Sequence, residues 1–466
     1  MNLLALLSSS NTGLAAQQTV LAVDGNNIQN ASNPNYAQQQ VNLATVPADY
    51  VDGVLVGSGA TVASITQTRD AFVEAQLPAS FSAASSSAAE SQALQSVTAL
   101  DPQTQGNLAS AFANFYSSLQ ALTQDAGNAQ LRQTAVASAQ ALATSFQSTS
   151  QAIDAARTGL DEQVAGQVTQ VNALAAQVAQ LNAQITAAQA GGGMPNDLLD
   201  ERQAALDQLA QLAGATTVKD QSGSVSVLLG GGLALVSGDA AGSLTTSVDP
   251  TNGGHLAVSL TLAGGTSSTK LSQSALGGSM GGELAARDGA LGTAASRLDQ
   301  LAFDFAGSVN AVQSAGYGLD GVSGRPLFDV GATAAGAASA ITVDAAVAAN
   351  PSALAAASTA AGVPGDATNL QALLGTEQAG LTGGLTATAT VADITTQFGA
   401  ASQQAQAAST QDAAMLSQLK QMRASASGVS IDEQLISMQG AQRAYEAVSK
   451  VIQTTSNMLD ALLNIT

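Results

Sequence analysis

The chain has no cysteine, no tryptophan and a single histidine, His255. Without cysteine it has no disulfide, no thiolate metal site and no cysteine nucleophile. One histidine leaves a Ser-His triad or a histidine metal site without partners. Aromatic residues are 3% of the sequence and charged residues 10%, so a dense aromatic core cannot extend through the whole length. Cations are scarcer still, 13 Lys+Arg against 33 Asp+Glu for a net charge of −20. None precedes Arg69 and the rest are scattered singly. Nucleic acid and anionic membrane surfaces both attract clustered cations, so neither is a partner. No apolar run reaches the 18 or so residues of a membrane span. The opening Met1 to Leu7 has only a short apolar run with no preceding positive charge, which argues against a cleaved signal peptide.

What the chain does have is length and small residues. At 466 residues it exceeds one compact core, and two to four domains are expected. Apolar residues make up 45%, against wholesale disorder. Both ends carry apolar residues spaced seven apart. Near the start they are Leu7, Leu14, Leu21 and Ile28; at the end they are Met438, Tyr445, Ile452 and Leu459. Ala441, Val448, Thr455 and Leu462 fill the offset of three, and alternating steps of three and four make a coiled-coil seam. Isolated helices of this length are marginal in water. The spacing therefore predicts subunit-packing helices that order only against neighbours.

Residues 1–30 read as the first helix, ended by Asn26, Asn27 and Asn30, which tolerate left-handed geometry. A turn follows at Asn33-Pro34-Asn35-Tyr36. Short strands are expected at 54–56 and 62–65. The stretch from Asp70 to Leu212 is mostly helical, and Val164, Val171, Val178 and Ile185 repeat every seven as a core stripe. Gly191-Gly192-Gly193 breaks it, and Asn196 is expected to cap the next helix. Period-two alternation in Val225/Val227/Leu229, Leu233/Leu235 and Leu256/Val258/Leu260/Leu262 gives a small β part. Helix returns at about 283–315, residues 331–400 offer only Ile341 to Val343 as a strand, and the rest is helical with a break near Ser427-Gly428.

The predicted fold class is mainly α with a smaller β part: an elongated α+β subunit with paired terminal coiled-coil helices. The expected domains are 1–45 with 429–466 as the terminal coil, 46–214 with 276–428 as a helical rod, and 215–275 as the β domain. The order helix, sheet, helix brings both termini to one end.

Gly25 through Asn30, then Asn33-Pro34-Asn35-Tyr36-Ala37-Gln38, resembles the motif after the first helix of bacterial flagellar axial proteins, the rod, hook and hook-associated family. The motif turn is carried here by Asn26, Asn27, Asn30, Pro34 and Tyr36. Asn35 replaces a usual glycine and Ala37 a usual cation. Gly428 through Gln434, Gln442 through Tyr445, and Val451 through Leu463 are similar to the family's C-terminal motif. In the middle, Val171 through Ile185, Asn196 through Arg202 and Gly277 through Leu284 resemble the hook-associated members at the hook–filament junction. The resemblance implies an extracellular flagellar subunit, exported without signal cleavage by the flagellar type III apparatus. A chaperone would hold its C-terminal segment. It also implies partners: other copies of itself in a tubular polymer, the hook protein, and the next hook-associated protein on the filament side. The alternatives are another axial component or, from a different class, a surface adhesin with an acidic β tip.

Nothing in the sequence implies an enzyme, a cofactor or a metal. Gly316 to Gly321 fits a dinucleotide-loop glycine pattern, but a helix precedes it where a strand is required. Asp320 alone supplies too few carboxylates for calcium. His255, after Asn252-Gly253-Gly254, reads as an exposed turn residue. Asp200-Glu201-Arg202 reads as a first-turn cluster favouring the helix dipole.

Overall fold

The computed structural model describes residues 3–51, 54–100, 107–220 and 223–464; Met1 and Asn2, where the opening apolar run begins, lie outside them. Helix α1 (Leu3–Gln29) leads into a β ribbon made of β1 (Gln39–Thr45), β2 (Asp49–Val51), β3 (Val54–Val56) and β4 (Ala60–Gln67). β1 pairs antiparallel with β4 and β2 with β3. The ribbon lies on α1 at Gly59, whose φ is +97° and where a Cβ would stand 3.1 Å from the Ser9 carbonyl oxygen.

The helical body follows, with α2 (Ala71–Gln95), α3 (Leu108–Thr123), α4 (Ala129–Ala190) and α5 (Asn196–Ala213). Asp70, Asn107 and Asn128 cap the first three by accepting backbone N–H bonds. The 62 residues of α4 make a rod of about 93 Å at 1.5 Å per residue. α5 departs from expectation at its start. Asn196 is its first residue, not its cap, and its side chain instead donates to the Ile65 carbonyl at 3.2 Å. Arg132 is 1% exposed and forms no ion pair among the described residues; it donates to the carbonyls of Ala126 (2.7 Å) and Leu354 (2.6 Å). Desolvation pushes its pKa down to about 10.

A four-stranded sheet combines β5 (Thr216–Lys219), β6 (Val225–Leu229), β7 (Leu233–Ser237) and β8 (Ala240–Ala241), in that order. A three-stranded sheet has β10 (Leu256–Thr261) between β9 (Ser243–Val248) and β11 (Ser268–Lys270). The stripe on α4 is their floor: Val164, Val171 and Val178 are fully buried in a core shared with Val227, Leu235 and Leu260, and Ile185 is fully buried further along the helix. Two asparagines on the same helix bond strand backbones. Asn172 exchanges bonds with the Leu244 N–H (2.7 Å) and C=O (2.9 Å), and Asn182 bonds Val225 and Gly238.

His255 is not the exposed turn residue that its glycines suggest. It is 5% exposed, its Nδ1 lies 2.8 Å from Asp161 Oδ2, and Arg287 pairs with the other oxygen of the same carboxylate. The turn folds back onto α4, so the ring seals the base of the β part.

The chain re-enters the body through α6 (Gly278–Ala285), a π-helical turn at Ala286–Leu291, and α7 (Gly292–Ala315), so helix resumes earlier than the 283 expected. Between α7 and the next long helix lie β12 (Phe328–Asp329), α8 (Ala337–Ala340), β13 (Thr342–Val343), α9 (Ala345–Ala349) and α10 (Thr368–Gly375). Two glycines of 316–321 serve packing, because a Cβ on Gly316 would stand 2.3 Å from Asn369 and one on Gly318 2.7 Å from the Ser352 carbonyl oxygen, while Gly321 takes a φ of +68° in open space. α11 (Ala387–Ser427) and α12 (Ile431–Leu463) complete the chain.

On α6, Gly282 touches α2 so closely that a Cβ would fall 2.0 Å from the Ser86 carbonyl oxygen. Its neighbour Glu283 is 5% exposed, accepts from Gln167 at 2.6 Å, and has its second carboxylate oxygen buried without a hydrogen bond. Burial pushes its pKa up from 4.5 to about 7, opposed by the Gln167 bond. Between those values the folded chain holds a proton that the unfolded chain has released. Stability is therefore lost as pH rises through the window, on the order of 3 kcal/mol by pH 8. Glu283→Gln should match the parent near pH 4.5 and exceed it at pH 8, read from urea midpoints. Parallel pH profiles for the two chains would contradict this.

Candidate assembly site at the terminal helices

α1 contains no proline, and Asp24 is its single charged residue. Its end is closed by side-chain amides: Asn30 Nδ2 donates to the Asn26 carbonyl (3.0 Å) and to Asn26 Oδ1 (2.6 Å). Asn33 Oδ1 then accepts from the Asn35 N–H at 3.1 Å across Pro34, and the Tyr36 N–H returns to the Asn33 carbonyl at 3.2 Å. This turn delivers the chain to α11, where the Gln38 N–H donates to the Ser427 carbonyl at 2.9 Å.

Asn27 occupies the centre of this region and is 0% exposed. Its Nδ2 donates to the Gln39 carbonyl and to Gln434 Oε1, both at 2.8 Å. Its Oδ1 accepts from the Tyr36 hydroxyl (2.8 Å) and the Gln39 N–H (2.9 Å). Two donors and two lone pairs are thereby all used. The N-terminal and C-terminal motifs quoted from the sequence meet at this one amide. Burial, with the charges of Asp200 and Asp197 behind it, pushes the Tyr36 hydroxyl up to about 12.

Asn27 opposite Gln434, and Asp24 hydrogen-bonded with Ser437, set α1 and α12 antiparallel. Asp24 is 6% exposed with one oxygen unpartnered, and desolvation raises its pKa. Both helices are paired with each other within the chain. Each shelters part of the other. The fully buried positions between them are mostly small: Ala16, Val23, Ala441 and Thr455. Leu7, Leu14, Leu21, Ile28, Met438, Tyr445, Ile452 and Leu459 are only half-buried beside them. Leu462 is 53% exposed, Ile436 71% and Leu463 72%. Alanine lets the helices approach closely, which displaces the larger stripe residues to the rims. The sequence pattern thus marked the two helices that meet within the chain but not the residues of their seam. Gln434 and Asp24 were absent from the expected set, and only the position of Gln434 within the C-terminal motif pointed to it.

The body side of this region is ionic. Arg423 on α11 pairs with Glu74 (2.9 and 3.1 Å) and Asp207 (2.8 Å), and Arg69 pairs with Glu74 (3.3 Å) and Asp200 (2.5 Å). Asp200 therefore serves a contact between elements, not the helix-dipole role read from the sequence. Arg202, likewise, is 5% exposed and bonds Asn182 at 2.8 Å. A cleft of about 410 Å³ lies between this layer and residues 31–37.

Comparison with known proteins gives concordant results. The model of the flagellar hook-associated protein FlgK helical domain matches residues 93–328, and that of the flagellar basal body rod FlgEFG protein C-terminal region matches 420–465. Flagellar hook-associated protein 1 of Salmonella typhimurium is 27% identical over 331 residues, covering 70% of this chain. The chain spans 59% of the length of that relative. The protein of the same name from Bacillus subtilis is 27% identical, with 98% of this chain and 97% of the relative covered. The solved structure of the flagellar hook junction protein FlgK from Burkholderia pseudomallei aligns with a TM-score of 0.69 at 21% identity, covering 76% of this chain and all of that one, a likeness of fold. With a family model matching half of its length, the chain belongs to the flagellar hook-associated protein FlgK helical-domain family.

Proposed function

We propose that this chain is a structural, non-enzymatic subunit of the bacterial flagellum that polymerises through its terminal helices and forms the junction between hook and filament. The observation that carries this reading is the α1–α12 pair. Its seam is closed, yet Ile436, Met458, Leu462 and Leu463 each remain more than half exposed. Repeated copies arranged around a tube would bury those rims, at about 1.5–3 kcal/mol for each side chain fully covered. The partners are other copies, the hook protein on one side and the next hook-associated protein on the other. A C-terminal chaperone would shield the same α12 rim before export through the flagellar type III apparatus. The rod-type C-terminal match also accommodates a role elsewhere in the axial structure. The helical-domain match over 93–328 favours the junction.

Deleting the gene from its host should leave hooks intact while flagellin leaks into the medium. Normal filaments in the deletion strain would remove the junction assignment. The Ile436→Ser/Leu462→Ser chain should be exported and folded, because exposed substitutions usually change stability by no more than about 0.5 kcal/mol. It should nonetheless fail to restore filaments. Full restoration would show that the α12 rim is not the polymer contact.

A further inference from the structure

Residues 31–37 cross α5 at Ala204 and separate two clefts of opposite charge. Ala204, Asn33, Asn35 and Tyr36 line both. Toward the end of α5, the cleft of about 410 Å³ sets Arg69, Lys420 and Arg423 against the lone carboxylate of Asp207. Toward its start, a cleft of about 380 Å³ is lined by Asp197, Asp200 and Glu201, with no cation among its lining residues.

Part of this charge is already matched. Arg423 is held by Glu74 and Asp207, and Arg69 by Glu74 and Asp200. Lys420 is left over. It is exposed, its ammonium lies 5.1 Å from the centre of the Phe81 ring, and it forms no ion pair among the described residues. On the other flank Asp197 and Glu201 are exposed and meet only amides, from Gln39 at 3.5 Å and Gln177 at 2.9 Å. Each cleft also has polar capacity to spare. Among the described residues four buried side-chain oxygens lack a hydrogen bond, and two belong to residues lining these clefts, Ser427 on the basic flank and Asp200 on the acidic one. Native interiors leave few such atoms.

We propose that the two clefts are halves of one contact between copies of this chain, in which Lys420 of one copy pairs with Asp197 and Glu201 of the next. The contact is heterologous, one flank meeting the opposite flank, and repetition about an axis closes it into a ring. A net charge of −20 makes copies repel in most orientations, so an unmatched cation selects the faces that meet. An exposed ion pair adds little affinity; its effect here is to fix register. This contact presupposes the polymerising subunit proposed above and lies on the body, apart from the α12 rim.

The absence of cysteine permits cross-linking through introduced thiols. Ser417→Cys lies one turn from Lys420 and Met194→Cys just before Asp197; both positions are exposed, and the charges stay in place. Two tagged versions of the full chain, one with each substitution, are produced together in the deletion host, and its flagella are purified and treated with a short bis-maleimide. A species of twice the subunit mass carrying both tags is expected, and neither version alone should yield a dimer. Both versions present in flagella without that species would overturn the contact. Absence of the chain from purified flagella would overturn its flagellar role, and the contact with it. In separate strains, Lys420→Glu and Glu201→Lys should each lower the number of incorporated copies by about tenfold, because like charges then face each other. The two exchanges in one chain should restore the parental number. Both sites are exposed, so the isolated variants should keep the parental urea midpoint. A double exchange no better than the single ones would also overturn the contact.

Discussion

Phe305→Ala should lower the stability of the helical body by about 3–5 kcal/mol, among the largest effects of any single truncation in this chain. Phe305 is 1% exposed and is the hub of the aromatic cluster. Its ring meets Phe112 edge-on at 4.9 Å, Phe328 at 5.5 Å, Phe115 at 6.0 Å and Phe146 at 6.4 Å. These rings come from α3, α4, α7 and β12, so one truncation opens a cavity shared by four elements. The edge-to-face pairs add about 0.5–1.5 kcal/mol each beyond burial, and that contribution disappears with the ring. The chain has only 9 phenylalanines, and five of them lie in this cluster; Ala-rich helices elsewhere cannot compensate by repacking. The measurement is the urea midpoint followed by circular dichroism. A loss below about 1 kcal/mol would mean that the cluster relaxes into the cavity, as well-collapsing sites do.

Arg423→Ala should cost a similar amount, about 3–5 kcal/mol, by a different mechanism. Arg423 is 9% exposed and Asp207 4%. Removing the guanidinium leaves Asp207 and Glu74 facing each other inside protein, with Arg69 alone on the Glu74 side. A buried carboxylate without its cation is costly whether it stays charged or takes up a proton. The distinguishing control is Arg423→Met with Glu74→Leu and Asp207→Leu, which removes the charges together and should recover most of the loss. If the triple variant is as unstable as Arg423→Ala, the cost lies in lost packing and not in stranded charge.

How much of this was legible depends on what kind of signal each element leaves. The helices of 129–190 and 431–463 showed as periodicity, because a stripe of Val, Leu and Ile every seven residues has few other solutions. The β part showed as alternation for the same reason. The antiparallel meeting of the two ends could be inferred from element order, and the motif residues Asn26, Asn27 and Asn30 were identifiable by resemblance. The sequence did not reveal which polar residues are buried. Nothing local distinguishes Asn27, which makes four bonds in a dry site, from Asn26, which is half-buried. His255 misled because its turn glycines signal a turn, and a turn that folds onto α4 buries its contents like any core segment. The seam of α1 and α12 was misread in a similar way. Large residues dominate a periodicity count, but close helix approach selects the alanines between them. Residues 331–386 carry no periodicity because their short elements are set by contacts with α3, α4 and α7, whereas 387–400 already belong to α11, which starts earlier than expected.

Asp24 is the only charge on α1 and is hydrogen-bonded with Ser437, so the α1–α12 contact itself has little for dissolved ions to screen, although α12 carries six charged residues on its exposed side. Ionic strength should therefore matter less to this contact than to an ion-paired one. Its attraction is instead the kind that weakens on cooling, since apolar hydration loses its penalty at low temperature. The pairing of α1 with α12 would be weakest near freezing.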